Sequence, residues 1–306
     1  MAWGINEWFG HPVANITPEH RKNMADDVLS GAKNSVIGRT CPFVQHLMPG
    51  ALCNKRGGVC SIIPYEDVQH KTPAAVCPRR LLQMDSAGRD IFDLLASQCL
   101  GVKPGQNYAV VREVPFLLKV DEAGEARGSK AGRIDWVLVS DADNPTKNWL
   151  AIETQAVYFS GDSMQRDFEM LQENPNRLAV TEGSRRPDWR SSAAKRLSPQ
   201  LEDKQPVMIR WGKKVAVVVD EGFFDEFAAF QNDNVTFDNA DVVWVVAGYD
   251  ENLQITLRIE RYAELNESIR AISATRPVDK KQFENALAKH ISDRSSKVHI
   301  KTIASK

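Results

Sequence analysis

Two acidic residues stand inside apolar, strand-like runs: Asp135 in GRIDWVLVS (132–140) and Glu153 in NWLAIETQAVYF (148–159). Side chains alternate along a strand, so Glu153 and Gln155 face the same side. If the two strands pair through the turn DADNPTK, Asp135 comes opposite them. Carboxylates that converge on a buried sheet are costly unless a cation neutralises them. Magnesium suits such a place, because it takes hard oxygen ligands, often one or two carboxylates with water and a phosphate. The plainer alternative is that both acids face solvent from a half-exposed sheet.

The elements around these acids are regular. The spacing predicts a helix over 85–100, with Ile91, Leu94, Leu95 and Cys99 on one face and Gly101 as its stop. A strand over 107–120 and the polar turn DEAGEARGSKAG then lead back into the Asp135 strand, a hairpin. Helices are expected over 17–32, 161–173 and 191–204, and a strand over 215–220. A strand pair over 241–248 and 253–261 and two helices near 263–274 and 279–291 complete the chain. This order predicts an α/β class, an α+β mixed sheet flanked by helices. The expected organisation is an N-terminal helical arm (1–37), a cysteine-rich module (38–80) and a main domain (81–306).

That module is irregular and rich in proline and glycine. Cys41, Cys53, Cys60 and Cys77 within it are separated by 11, 6 and 16 residues. Four thiols in so short a loop-rich segment suit a tetrahedral metal. Thiolate ligands do not by themselves separate zinc from iron, and buried unliganded cysteines are the competing reading. Cys99, on the apolar side of its helix, is expected in the core.

Net charge is −1, which disfavours indiscriminate coating of nucleic acid, but the charge is segregated. Residues 185–214 carry nine Lys or Arg against three acids, whereas 220–251 carry nine acids and no Lys or Arg. Arg185, Arg186, Arg190, Lys195 and Arg196 are the expected DNA-contacting cluster, because phosphates need such groups and Arg reads guanine edges. Solvated surface charge is the alternative. Arg39, Lys55, Arg56, Arg79 and Arg80 decorate the cysteine module and join the candidates. Trp189 reads as a core anchor or a wedge. No run approaches the roughly 18–20 apolar residues of a membrane span. The start, MAWGINEWFGHPVAN, lacks the basic and apolar regions of a secretory signal, so a cytoplasmic protein is expected. The six histidines are scattered, and no hydrolase triad is indicated.

Asp135, then 17 intervening residues, then Glu153-Thr154-Gln155 resembles the Asp…Glu-x-Lys signature of PD-(D/E)XK nucleases, with Gln155 in the lysine place. The helix-and-hairpin order resembles their αβββαβ core. More specifically, GRIDWVLV, AIETQAVYFSGD and RPDWRSSAAKRLSPQL, with the cysteine-rich stretch upstream, resemble the NotI-type family of type II restriction endonucleases over residues 38–262. The resemblance implies Mg2+-dependent cleavage of double-stranded DNA at a GC-rich palindrome containing GGCC, with 5′-phosphate products. It further implies a homodimer, a cognate methyltransferase that protects the host, and a bacterial cytoplasm. It places Asp135, Glu153 and Gln155 at the active site, matches Glu113 of REVPF to a further acid there, and gives the four cysteines a single iron. The glutamine is shared within that family, so it does not imply an inactive protein. Two other readings stay open: a metal-stapled DNA-binding regulator with an inactive nuclease core, and a repair or junction-resolving nuclease.

Overall fold

VAVVVD (215–220) and VVWVVAGY (242–249) are near-continuous apolar runs, the pattern of strands covered on both faces. In the computed structural model they are parallel neighbours at the middle of a mixed sheet. The structure describes residues 3–30, 39–55, 57–64, 72–159, 164–176, 186–273, 278–293, 298–299 and 301.

The chain divides into two units, Met1–Ser273 and Ala274–Lys306. In chain order the first contains β1 (Trp3–Trp8), β2 (His11–Pro12), α1 (Pro18–Leu29), β3 (Val59–Pro64), β4 (Ala74–Ala75) and α2 (Ile91–Leu100). Next come β5 (Ala109–Val120), β6 (Ala126–Val139), β7 (Trp149–Thr154), β8 (Tyr158–Phe159), α3 (Gln165–Glu173) and β9 (Pro187–Asp188). It ends with α4 (Trp189–Ser192), α5 (Ser198–Arg210), β10 (Val215–Asp220), α6 (Glu221–Phe224), β11 (Val242–Tyr249), β12 (Ile255–Ala263) and α7 (Leu265–Ser273). The second unit holds α8 (Lys280–Ser292).

The main sheet has the order β12-β11-β10-β7-β6-β5. β7, β10 and β11 run parallel, while β5–β6, β6–β7 and β11–β12 are antiparallel. One face packs Trp136, Leu138, Leu150 and Ile152 against α2, whose Ile91, Phe92 and Leu95 are fully buried. The other packs Ala151, Val217 and Trp244 against Leu201 and Met208 of α5 and Ile272 of α7. The sequence therefore predicted the mixed α+β sheet, and local signals explain its edges. Asp90 closes a capping box at the start of α2, and Gly101 ends that helix at φ 68°.

The N-terminal residues depart from the expected helical arm. Trp3–Trp8 is a strand paired with Val59–Pro64, so the first residues and the cysteine-rich stretch share a second sheet, β2-β1-β3-β4. A buried ion pair ties this sheet inward. Arg80, fully buried, donates from Nε to Glu7 at 2.7 Å and from Nη2 to the Leu253 carbonyl at 2.7 Å. Its guanidinium lies 4.7 Å from the Phe43 ring and 4.5 Å from the Tyr249 ring. Arg80 is therefore a structural cation rather than a DNA contact, a correction that its exposed-looking neighbourhood in sequence concealed.

Asp220 makes a second tie. Its carboxylate accepts the Ala75 and Phe223 backbone N–H groups, each at 2.8 Å. Complete burial pushes its carboxyl up to about 7, above the ordinary 3.8. The folded chain thus keeps a proton there that the unfolded chain releases near pH 4, so stability declines as pH rises from about 4 through 7. Melting temperature should fall over that window, and fall less steeply in Asp220→Asn, which removes this proton's share of the linkage. An identical slope in the variant would contradict the assignment.

Candidate active site

The antiparallel β6–β7 ladder aligns Trp136 with Ile152, and Asp135 and Glu153 are the next residues along each strand. Asp135 is half-buried and its Oδ2 accepts both the Thr154 N–H and the Thr154 hydroxyl, each at 3.0 Å. Glu153 is only 2% exposed. Its strand is sandwiched between β6 and β10, where it sits in register with Val217. Burial, and after it the Asp135 charge, push the Glu153 carboxyl up to about 7, while Lys204 pulls the other way. The β6–β7 register thus sets the two acids side by side at the end of the ladder.

Lys204 is the residue that sequence reading missed. It arrives from α5, is 6% exposed, and donates from Nζ to Glu153 Oε1 at 2.8 Å. A signal was present: Leu197, Leu201, Lys204 and Met208 follow helical spacing, so the lysine occupies an apolar stripe. A lysine on the buried side of a helix requires a partner.

A cleft of about 940 Å³ opens beside these strands, lined among others by Glu113, Asp135, Gln155, Arg79, Arg112 and Arg196. Glu153 lies outside that lining. Gln155 donates its side-chain amide to the Ala156 carbonyl at 2.6 Å and its backbone N–H to Val218 at 2.9 Å. Glu113 has φ 54°, a left-handed conformation that a non-glycine residue adopts at a cost of roughly 1–3 kcal/mol. Its carboxylate bonds Arg133 at 2.7 Å, with both side chains exposed, rather than joining Asp135 and Glu153.

Among the expected DNA contacts, Arg196 reaches the cleft, where its guanidinium stacks 3.5 Å from the Tyr158 ring. Arg186, Arg190 and Lys195 are exposed. Arg185 and Arg56 lie outside the described residues. Lys55 and Arg79, from the cysteine-rich stretch, also line the cleft, whereas Arg39 pairs with Asp27 at 3.2 Å. Trp189 is a core anchor, packed against Trp3 and Phe223. Cys99 is buried, as expected.

The four candidate cysteines are brought near one another by the backbone. Cys41 and Cys53 flank the Thr40–Leu52 bridge, and the Cys77 N–H donates to the Cys60 carbonyl at 3.2 Å. Burial pushes the Cys41, Cys53 and Cys60 thiols up, and the Cys77 charge adds to each. All four are free thiols. Yet among the described residues no group of three or more His, Cys, Asp or Glu could hold a metal ion. The four-cysteine metal module expected from the sequence is thus not seen as an assembled ligand set. Asp135 and Glu153 offer the hard oxygens a divalent ion takes: two like charges, one of them buried, with Thr154 on Oδ2 of the first and Lys204 on Oε1 of the second.

Such a pair of acids at the edge of a basic cleft, on adjacent strands of a mixed sheet, is suited to hold a cation against a polyanion. The family model described as restriction endonuclease NotI matches residues 27–263 of the 306. The chain belongs to the NotI restriction endonuclease family, and is a type II site-specific deoxyribonuclease that binds double-stranded DNA. The comparison with curated proteins returns no match. Among the described residues no helix is long and apolar enough to cross a membrane.

Proposed function

We propose that this chain hydrolyses DNA phosphodiesters with a Mg2+ ion held by Asp135 and Glu153, using a PD-(D/E)XK core. The observation that carries the reading is the adjacency of these two acids in the β6–β7 ladder, beside a cleft bearing Arg79, Arg112 and Arg196. The strand order, with an antiparallel β5-β6-β7 meander and β10 parallel to β7, supports it. Bound Mg2+ supplies acidification of water and charge stabilisation at the phosphoryl oxygens. Thr154 fixes the Asp135 carboxylate. Gln155, a neutral amide, orients water but takes no proton from it. Arg196, Arg79 and Arg112 hold backbone phosphates, with Arg185, Arg186, Arg190 and Lys195 extending the basic surface. Glu113, turned to Arg133, joins the site once DNA competes for that arginine.

The target is a GC-rich palindrome containing GGCC, cut by a homodimer whose two-fold axis matches the site and leaving 5′-phosphate ends. A cognate methyltransferase protects the host's own sites in the cytoplasm. Incubation with unmethylated plasmid and Mg2+ should give discrete fragments whose sequenced ends share one palindrome. An intact plasmid would favour the DNA-binding regulator, and cutting confined to branched DNA would favour a junction-resolving nuclease.

Cys41, Cys53, Cys60 and Cys77 form a structural metal site in this reading, filled by iron, with zinc as the alternative. Elemental analysis of the purified protein should find one such metal per chain. Cys60→Ala should lower that content and the melting temperature together. Unchanged content and melting in the variant would remove the metal from the account.

A further inference from the structure

A buried Lys–Glu pair is a poor way to stabilise a fold, because desolvating two charges offsets most of their attraction and apolar residues of similar size do as well or better. Position 204 sits between Leu201 and Met208 on the stripe of α5 that packs against the sheet, where an apolar side chain would continue the core. Instead a lysine, 6% exposed, reaches Glu153 at 2.8 Å. The helix that carries it is launched from a π-helical turn, Ala193–Leu197. Such a turn shifts the phase of the residues that follow and recurs at functional sites.

The Glu153 carboxylate takes the Lys204 ammonium on Oε1, and the Asp135 backbone N–H also donates to it. Gln155, just past the end of β7, brings no charge, and its amide is turned to the Ala156 carbonyl. The cation of this site is thus supplied from a helix, from the side of the sheet opposite α2. We infer that Lys204 is a positioning residue for the active site, clamping Oε1 of Glu153 so that Oε2 is presented to the ion shared with Asp135. The inference rests on the proposed metal site. Lys204 touches neither DNA nor the reacting atoms; it acts through Glu153, as groups behind metal ligands do.

The test compares the full-length wild type with Lys204→Met, Lys204→Arg, Glu153→Gln and the Lys204→Met/Glu153→Gln double variant. DNA affinity is measured with and without Ca2+, and cleavage is measured across Mg2+ concentrations. In Lys204→Met the Mg2+ needed for half-maximal cleavage should rise at least about tenfold, and the Ca2+-dependent gain in affinity should shrink likewise. Metal-free DNA affinity and the circular dichroism spectrum should match the wild type. Lys204→Arg, which keeps the charge and a donor, should recover part of the loss. In the Glu153→Gln background, Lys204→Met should remove nothing further from the Ca2+ response, since its route is already cut.

A folded Lys204→Met with wild-type Ca2+ and Mg2+ responses would overturn the inference, as would losses that multiply in the double variant. Should Lys204→Met fail to fold, Lys204→Gln and Lys204→Arg decide on the same readouts. A wild type that shows neither Mg2+-dependent cleavage nor a Ca2+ gain would instead sink the metal site itself, and the clamp with it.

Discussion

Asp135→Ala is expected to bind its DNA site and not cut it. In the proposed site Asp135 is one of two ligands, so removing it would take away the charge that stabilises the phosphoryl oxygens and the acidified water together. Each effect is worth a few kcal/mol, so cleavage at saturating DNA should fall by about 10³-fold or more. Asp135 is half-buried and, among the described residues, its carboxylate bonds Thr154 alone, so its loss removes no core packing. DNA affinity without divalent ion should stay within about threefold, because the proposed phosphate contacts are the basic residues of the cleft. The measurement is single-turnover cleavage beside an equilibrium binding assay. Loss of binding in parallel with cleavage would mean that Asp135 shapes the protein rather than the reaction.

Arg80→Ala should be the most destabilising single change away from the site. The substitution leaves Glu7 buried without its cation, strips a donor from the Leu253 carbonyl, and empties the space between Phe43 and Tyr249. Breaking one partner of a buried pair costs about 3–5 kcal/mol. Urea denaturation should show a loss of that order, whereas Arg190→Ala, an exposed change, should stay within about 0.5 kcal/mol. An Arg80→Ala protein within about 1 kcal/mol of wild type would show that the pair contributes little.

The two arginines at 79 and 80 show what a sequence conceals. Arg79 lines the cleft, while its neighbour is wholly buried. Nothing local separates them; the difference lies in Glu7, 73 residues away. The same holds for Trp3–Trp8, whose strand character comes from pairing with Val59–Pro64 rather than from its own pattern. β10, by contrast, was legible to the residue, because a parallel strand covered on both faces must be apolar throughout. The expected third strand, 148–159, stops at Thr154. Beyond it Val157 donates to Ala75 at 2.8 Å, carrying the chain toward the second sheet. Asp135 and Glu153 were readable as a pair because the turn between them is short and the strands alternate. Lys204 was hidden by its company: in a segment rich in Lys and Arg, one more lysine reads as surface until its helical phase is counted.

The site's central claim is that Asp135 and Glu153 share one divalent ion, and anomalous scattering from Mn2+ in a crystal of the protein with its DNA site tests it directly. The expected result is a peak about 2.0–2.2 Å from one oxygen of each carboxylate, with a scissile phosphate oxygen beside it. A peak bound by neither acid, or by Asp135 alone with Glu153 still turned wholly to Lys204, would contradict it.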